Sequence, residues 1–173
     1  MILVFGKTGQ VGSVLKNFKD IQCVDKQGAN LLNPDSCFNI IMEIAPSAVI
    51  NAAAYTNVVN AEKEEKLATI INSCAPSAMA KACYKLNIPL IHISTDYVFD
   101  GEKKSEWKPQ DIPNPLNAYG RSKLAGEKNI INSGAKYVIL RTSWIISSQG
   151  KNFVKTMLEL SKNNKKLNVV NDQ

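Results

Sequence analysis

"MILVFGKTGQVGSVL" (1–15) is the stretch on which the fold turns. Five apolar residues run into a glycine, and glycines then recur at Gly6, Gly9 and Gly12. The apolar run is too short for a helix and reads as a buried strand, while the residues after it carry a helical pattern. Glycines between a strand and a helix allow a tight turn. They also let backbone N–H groups approach a pyrophosphate, whose charge a helix N-terminus favours. A glycine triplet alone is weak; this one gains weight by following the first strand and opening a helix. Its G-x-x-G-x-x-G spacing matches neither G-x-x-x-x-G-K-[ST] nor G-x-G-x-x-G, which disfavours a nucleotide triphosphatase.

The same alternation continues along the chain. "IQCV" (21–24), "AVINAA" (48–53), "PLIHIS" (89–94), "KYVILR" (136–141) and "LNVV" (167–170) read as further buried strands, most of them rich in Val and Ile. Helical patterns lie between them at about 10–19, 35–45, 60–86, 118–132 and 151–163. Asn33-Pro34-Asp35 reads as a helix start, and the longest helix is expected to end at Asn87, before Ile88-Pro89. Near-continuous apolar strands separated by helices predict an α/β protein, a Rossmann-type doubly wound parallel sheet with helices on both faces. Residues 1–173 fit one such domain. The stretch 95–117 is irregular, and a loop that long inside a domain is usually functional.

Composition narrows the function. An apolar content of 45% and a charged content of 21% are those of a folded soluble chain. The net charge of +6 invites a nucleic-acid reading, but the lysines are scattered and the only arginines are Arg121 and Arg141. The densest lysine groups, Lys103-Lys104 and Lys162 to Lys166, are flanked by Glu106 and Glu159. A solvated lysine surface is therefore expected, with no nucleic-acid partner. Cys23, Cys37, Cys74 and Cys83 lack C-x-x-C spacing, and the single histidine, His92, lies in an apolar run. Neither a zinc site nor a disulfide framework is expected. Reduced cysteines, an opening unlike a signal peptide and the lack of a membrane-length apolar run suit a cytoplasmic chain with no membrane partner.

Ligands of an open α/β sheet gather beyond the carboxyl ends of its strands. Asp25 ends the second strand, where an acid can bind a ribose 2′-hydroxyl; Lys26 follows and suits a 2′-phosphate, so NADH and NADPH both stay open. Three further strand ends face the same region: "NAAAYT" (51–56), "STDYVFDG" (94–101) and "RTSWIIS" (141–147). They offer small residues, hydroxyls with a carboxylate, and Trp144. In "PLNAYGRSKLAGEK" (115–128), Tyr119 and Lys123 stand one helical turn apart and share a face. A cation there is expected to lower the tyrosine pKa and make it a general acid for a developing alkoxide.

The ordered set "FGKTGQVG", "VINAAAYT", "ISTDYVFDG", "PLNAYGRSKLAGE", "ILRTSW", "NFVKTML" and "VVNDQ" resembles the extended short-chain dehydrogenase/reductases. Among them it is similar to the dTDP-4-dehydrorhamnose reductase family, over essentially all 173 residues. The resemblance implies reduction of the 4-keto group of a dTDP-linked keto-deoxysugar by NADPH or NADH. It makes Thr95, Tyr119 and Lys123 the catalytic trio, with Tyr119 and Lys123 also meeting the cofactor and Lys123 holding its ribose. Val58, Thr95, Asp96, Tyr97 and Trp144 would meet the sugar nucleotide. Gly9, Gln10 and Val11 would face the pyrophosphate, Ala53, Ala54, Tyr55 and Thr56 would run along the cofactor, and Asn30 and Leu31 would contact adenine.

Three positions depart from the family. Asn30 replaces a common acid, Val59 replaces another, and Val14 replaces a glutamate that some members use in metal-linked dimerisation, so no metal is expected. A homodimer remains open. The family continues beyond "NDQ" into a smaller substrate domain. The chain is therefore expected to bind cofactor and to turn over little substrate by itself. Two other readings stay in view: a different sugar-nucleotide reductase or epimerase, and a non-catalytic NADP-binding subunit resembling the regulatory subunit of methionine adenosyltransferase.

Overall fold

The computed structural model describes residues 1–163 and 166–169. Its strands are β1 (Ile2–Phe5), β2 (Ile21–Val24), β3 (Ala48–Asn51), β4 (Leu90–Thr95) and β5 (Tyr137–Thr142). They form one parallel sheet in the order β2-β1-β3-β4-β5. Phe5 is level with both Val24 and Asn51, and Thr95 with Thr142, so the carboxyl ends open on one edge. The chain leaves β1 for β2 on one side and returns to β3 on the other. This places the topological switch point, where open α/β sheets bind ligands, between β1 and β3.

The helices are α1 (Gln10–Leu15), α2 (Pro34–Ile44), α3 (Val58–Ala61), α4 (Glu65–Thr69), α5 (Ala75–Leu86), α6 (Ala118–Ile131) and α7 (Phe153–Asn163). Right-handed crossovers put α1 on one face of the sheet and α2, α5 and α6 on the other. There α5 packs against both α2 and α6. Leu3, Phe5, Val49 and Leu90 project into that layer against Ile41, Met79 and Ile130, all fully buried. Val4, between Leu3 and Phe5, is buried outside this cluster, as the two-residue period of a strand requires. Each such side chain contributes about 1.5–3 kcal/mol by leaving water. Among the described residues no helix is long and apolar enough to cross a membrane.

Three elements differ from expectation. The first helix stops at Leu15, because β2 begins at Ile21 and the intervening residues must turn back. The helix expected over 60–86 is broken after Ala61 and widens into a π turn at Ile70–Cys74. At the break, the Glu62 carboxylate leaves its own helix surface to accept the Ala118 N–H, 2.6 Å away. The π turn has a local cause. Pro76 lacks an N–H and its ring would clash with the carbonyl four residues back, that of Asn72. Widening the helix relieves this, and the Ala75 N–H then bonds the Ile70 carbonyl. The strand expected at 167–170 is absent over Leu167–Val169, and Val170 lies outside the described residues.

The helix carrying Tyr119 and Lys123 is held closely. Asn117 caps it by accepting the Gly120 N–H at 2.8 Å. A Cβ at Gly120 would stand 2.2 Å from the Tyr97 carbonyl, and one at Gly126 2.1 Å from the Asn72 carbonyl. Only bare glycine backbone lets α6 pack this tightly against both the turn after β4 and the π turn.

Candidate active site

Two cavities lie at the carboxyl edge of the sheet, and Ala54 lines both. The smaller, about 220 Å³, lies beside the ends of β1 and β2. Gly6, Asp25, Lys26, Asn30, Leu31 and Ala53 line it, joined by Thr8 and Ile71, which the sequence reading did not single out. The larger, about 860 Å³, lies over β3, β4 and β5. Val11, Thr56 and Val58 form one side of it, and Thr95, Asp96, Tyr97, Tyr119, Lys123 and Trp144 the rest. Four expected residues, Gly9, Gln10, Gly12 and Tyr55, line neither cavity. Val59, beside Val58, is exposed.

The glycine loop divides its work. Gly6 takes φ 98°, in the region that suits glycine, and a Cβ there would meet the Ala52 and Ala53 backbone at 2.9 Å. A Cβ at Gly12 would stand 2.2 Å from the Gly6 carbonyl, so this glycine seats the helix under the loop. Gly9 is the residue with space: its Cβ would reach only the Gly6 carbonyl at 3.4 Å and the Ala52 carbonyl at 4.0 Å. Those two neighbours line the smaller and the larger cavity respectively. Gln10 is turned toward the far loop, its amide oxygen accepting from Asn152 at 3.2 Å. At β2, Asp25 Oδ1 accepts the Gln27 and Gly28 N–H groups, and Asn30 Oδ1 accepts that of Leu32. These side chains shape the wall of the small cavity as well as lining it.

Tyr119 packs edge-on against Tyr97, with ring centroids 5.7 Å apart. Burial pushes its phenol pKa up; the Thr95 hydroxyl beside it works the other way, and Asp96 and Tyr97 add to the rise. The expectation that Lys123 lowers this pKa is not met. The Lys123 amine points below the tyrosine, 2.7 Å from the Ile93 carbonyl and 3.2 Å from His92 Nε2, and burial lowers its own pKa to about 8. Tyr119 is therefore a protonated phenol at neutral pH. Thr95 donates to Asp96 Oδ1 at 3.1 Å and accepts the Tyr97 N–H at 3.2 Å, which fixes its hydroxyl at the cavity floor.

Sequence reasoning missed the groups that hold this site. Asn72, in the π turn, accepts the Tyr55 N–H at 2.8 Å and donates to the Tyr55 carbonyl and to Ser122, each at 3.0 Å. It thereby ties the loop after β3 to α6. The Tyr55 hydroxyl bonds Glu64, which raises the phenol pKa and holds the ring away from the cavity. Asn51 bonds His92 Nδ1 at 3.0 Å. Glu127, fully buried, receives the Ser94 hydroxyl and a forked contact from Arg141. Arg141 also reaches the Pro109 carbonyl and lies over Phe99, which stacks on Trp107 at 4.3 Å. The long loop after β4 is thus anchored to the sheet. The signals were faint: a single polar residue inside an apolar run at Asn51 and at His92, and the Asn72-Ser73 pair after Ile70-Ile71.

Trp144 takes φ 50° and meets Phe153 edge-on at 4.9 Å. A left-handed backbone at a bulky residue is a strained feature of the kind found at ligand sites. Among the described residues no group of three or more His, Cys, Asp or Glu side chains could hold a metal ion. Cys37 and Cys83 are buried, with thiol pKa values pushed up to about 11 and 12, whereas Cys74 is exposed.

Known proteins resemble the chain along its whole length. The RmlD substrate binding domain family matches residues 1–173. The dTDP-4-dehydrorhamnose reductase of Shigella flexneri is 42% identical over 99% of the chain and 60% of its own length. A crystal structure of the enzyme of that name from Bacillus anthracis, in complex with NADP, superposes with a TM-score of 0.89 at 38% identity, covering 94% of this chain and 60% of that one. The Clostridium acetobutylicum counterpart gives a TM-score of 0.92 at 39% identity, over 99% of this chain and 63% of that one. The chain thus spans about 60% of the length of the curated relatives it matches. On the match over residues 1–173, the chain belongs to the RmlD substrate binding domain family.

Proposed function

We propose that the chain forms the cofactor-binding and proton-donating part of an NAD(P)H-dependent reductase acting on a dTDP-linked 4-keto-6-deoxysugar, dTDP-4-dehydrorhamnose. One observation carries this reading: Thr95, Tyr119 and Lys123 line a cavity that shares Ala54 with the slot beside the glycine loop. The relatives named above support the substrate and the cofactor.

The residues present fit a dinucleotide. Space at Gly9, between neighbours that line the two cavities, is where a backbone must admit a pyrophosphate. The smaller cavity has apolar walls at Val24, Ala29 and Leu31 and polar groups at Asp25, Lys26 and Asn30, a setting for an adenosine. Lys26 favours a 2′-phosphate by charge. A reduced nicotinamide, when bound, supplies a hydride to the carbonyl carbon. The protein does the rest. Tyr119, protonated by virtue of its burial, donates its phenolic proton to the carbonyl oxygen as that oxygen gains charge. Thr95 Oγ1 orients the same oxygen. Val58, Asp96, Tyr97 and Trp144 position the sugar nucleotide, and Phe99 stacked on Trp107 supplies an apolar wall that excludes water.

Remote contacts to the nucleotide assist the chemical step. The chain spans about 60% of its relatives' length, so cofactor binding is the part of this reading asked of it directly. The test is NADPH-dependent reduction of dTDP-4-dehydrorhamnose by the full-length protein. Tyr119→Phe is expected to lower kcat by about 10²–10⁴-fold while still binding cofactor. Wild-type turnover by the Phe variant contradicts the assignment.

A further inference from the structure

A chain of buried hydrogen bonds runs from the cofactor wall to Lys123, and its polarity can be followed atom by atom. The Ala53 N–H donates to Asn51 Oδ1 at 3.1 Å. A backbone N–H has only a donor to offer, so this bond fixes which end of the Asn51 amide is oxygen. The Nδ2 end then faces His92 Nδ1 at 3.0 Å and must donate to it. An imidazole that accepts at Nδ1 carries its proton on Nε2. That N–H faces Lys123 Nζ at 3.2 Å. An ammonium there has no lone pair, so two donors would oppose each other. An amine accepts the Nε2–H and still donates to the Ile93 carbonyl at 2.7 Å. The amine form satisfies every bond in the series.

We propose that Asn51 and His92 are positioning residues that favour the imidazole proton on Nε2 and thereby tie the charge on Lys123 to the His92 tautomer, favouring its amine form in the ligand-free chain. To protonate Lys123, Nε2 must become an acceptor and the proton must move to Nδ1. The Asn51 amide must then turn over, which sets its NH₂ against the Ala53 N–H. The backbone on the cofactor side of β3 is thus coupled to the charge on Lys123. The titratable and charged groups around the amine are His92 on β4, Tyr119 and Glu127 on α6, and Arg141 on β5. Glu127 favours the ammonium, yet its carboxylate is already paired with Arg141. Asp96 and Tyr97 act on Tyr119. Desolvation works in the same direction as the hydrogen bonds, lowering both the lysine and the histidine.

His92 is the only histidine in the chain, so its ring nitrogens can be read without assignment. The experiment is a two-bond proton–nitrogen correlation spectrum of the uniformly ¹⁵N-labelled, ligand-free chain at pH 7, repeated up to pH 10. The expected result is the Nε2–H tautomer at pH 10, where the lysine has lost its proton, with ring shifts that report the change of tautomer as the lysine titrates near pH 8 and that stay still in Lys123→Met. The Nδ1–H tautomer at pH 10, an imidazolium, or ring shifts indifferent to pH overturns the proposal. Asn51→Asp supplies a second arm. Its carboxylate accepts from both Ala53 and Nδ1–H, so the tautomer is expected to switch and the lysine titration to rise; an unchanged Nε2–H tautomer also overturns the proposal. The bearing on catalysis rests on the role given to Lys123 above. The tautomer is read without cofactor or turnover, so failure of this proposal and failure of the reductase reading remain separate.

Discussion

At Tyr119 and Lys123 the i, i+4 spacing put two candidate side chains on one helix face, and both line one cavity. Spacing could not show their depth. Burial raises the phenol and lowers the amine, and the ammonium expected to act on the phenol is turned instead to Ile93 and His92. Desolvation is a tertiary quantity, so its sign at one residue is not written in the local sequence. His92 gives a measurable consequence. Its pKa is lowered well below 6.5 by burial and by Lys123, so below that pH the unfolded chain binds a proton that the folded chain refuses. Stability must therefore fall as pH drops below about 6.5, with a limiting slope of about 1.4 kcal/mol per pH unit for one proton. Denaturant unfolding between pH 7 and 5 is expected to show this slope in the wild type and a shallower one in His92→Gln. Parallel slopes in the two proteins contradict it.

Among the elements, strands were the most legible. Five apolar runs became β1 to β5; β1, β3 and β4 are buried by the layer of helices, alternation along β1 matches what packs on each face, and the edge strand β5, expected to be buried, leaves Tyr137, Val138 and Leu140 exposed. Helices were less legible where another segment competes for their polar groups. Residues 60–69 contain strong helix formers, so nothing local announces the break after Ala61, where the Glu62 side chain is held by the Ala118 N–H. Pro76 was a visible signal for the π turn, but Asn72 acquires its role only through a loop seventeen residues away in sequence. Asn72→Ala leaves the Tyr55 N–H and carbonyl without their side-chain partners. It is expected to cost about 1–3 kcal/mol of stability. Amide exchange at Tyr55 should accelerate while the strands keep their protection. Unchanged exchange at Tyr55 means that the clamp is not what orders the loop.

For the whole molecule, the strand order 2-1-3-4-5 is decisive. It brings the glycine loop after β1 beside the loop after β3, at the point where two cavities meet on Ala54. Most of the candidate site was legible because strand-end loops in such a sheet converge whatever their separation in sequence. Gly9 alone combines space for a ligand with neighbours in both cavities. Its replacement by Trp fills the passage while leaving the backbone contacts of Gly6 and Gly12 in place. The most direct measurement is a fluorescence titration of the purified chain with NADPH, and in parallel with NADH, alongside Gly9→Trp. The expected result is saturable binding to the wild type, lost in a variant that keeps its circular dichroism and cooperative unfolding. At a hundred times Kd the cofactor should also stabilise the wild type by about 2.7 kcal/mol. A folded wild-type chain that binds neither nucleotide, or a folded Gly9→Trp that binds as tightly as the wild type, contradicts the glycine-loop groove as the cofactor site.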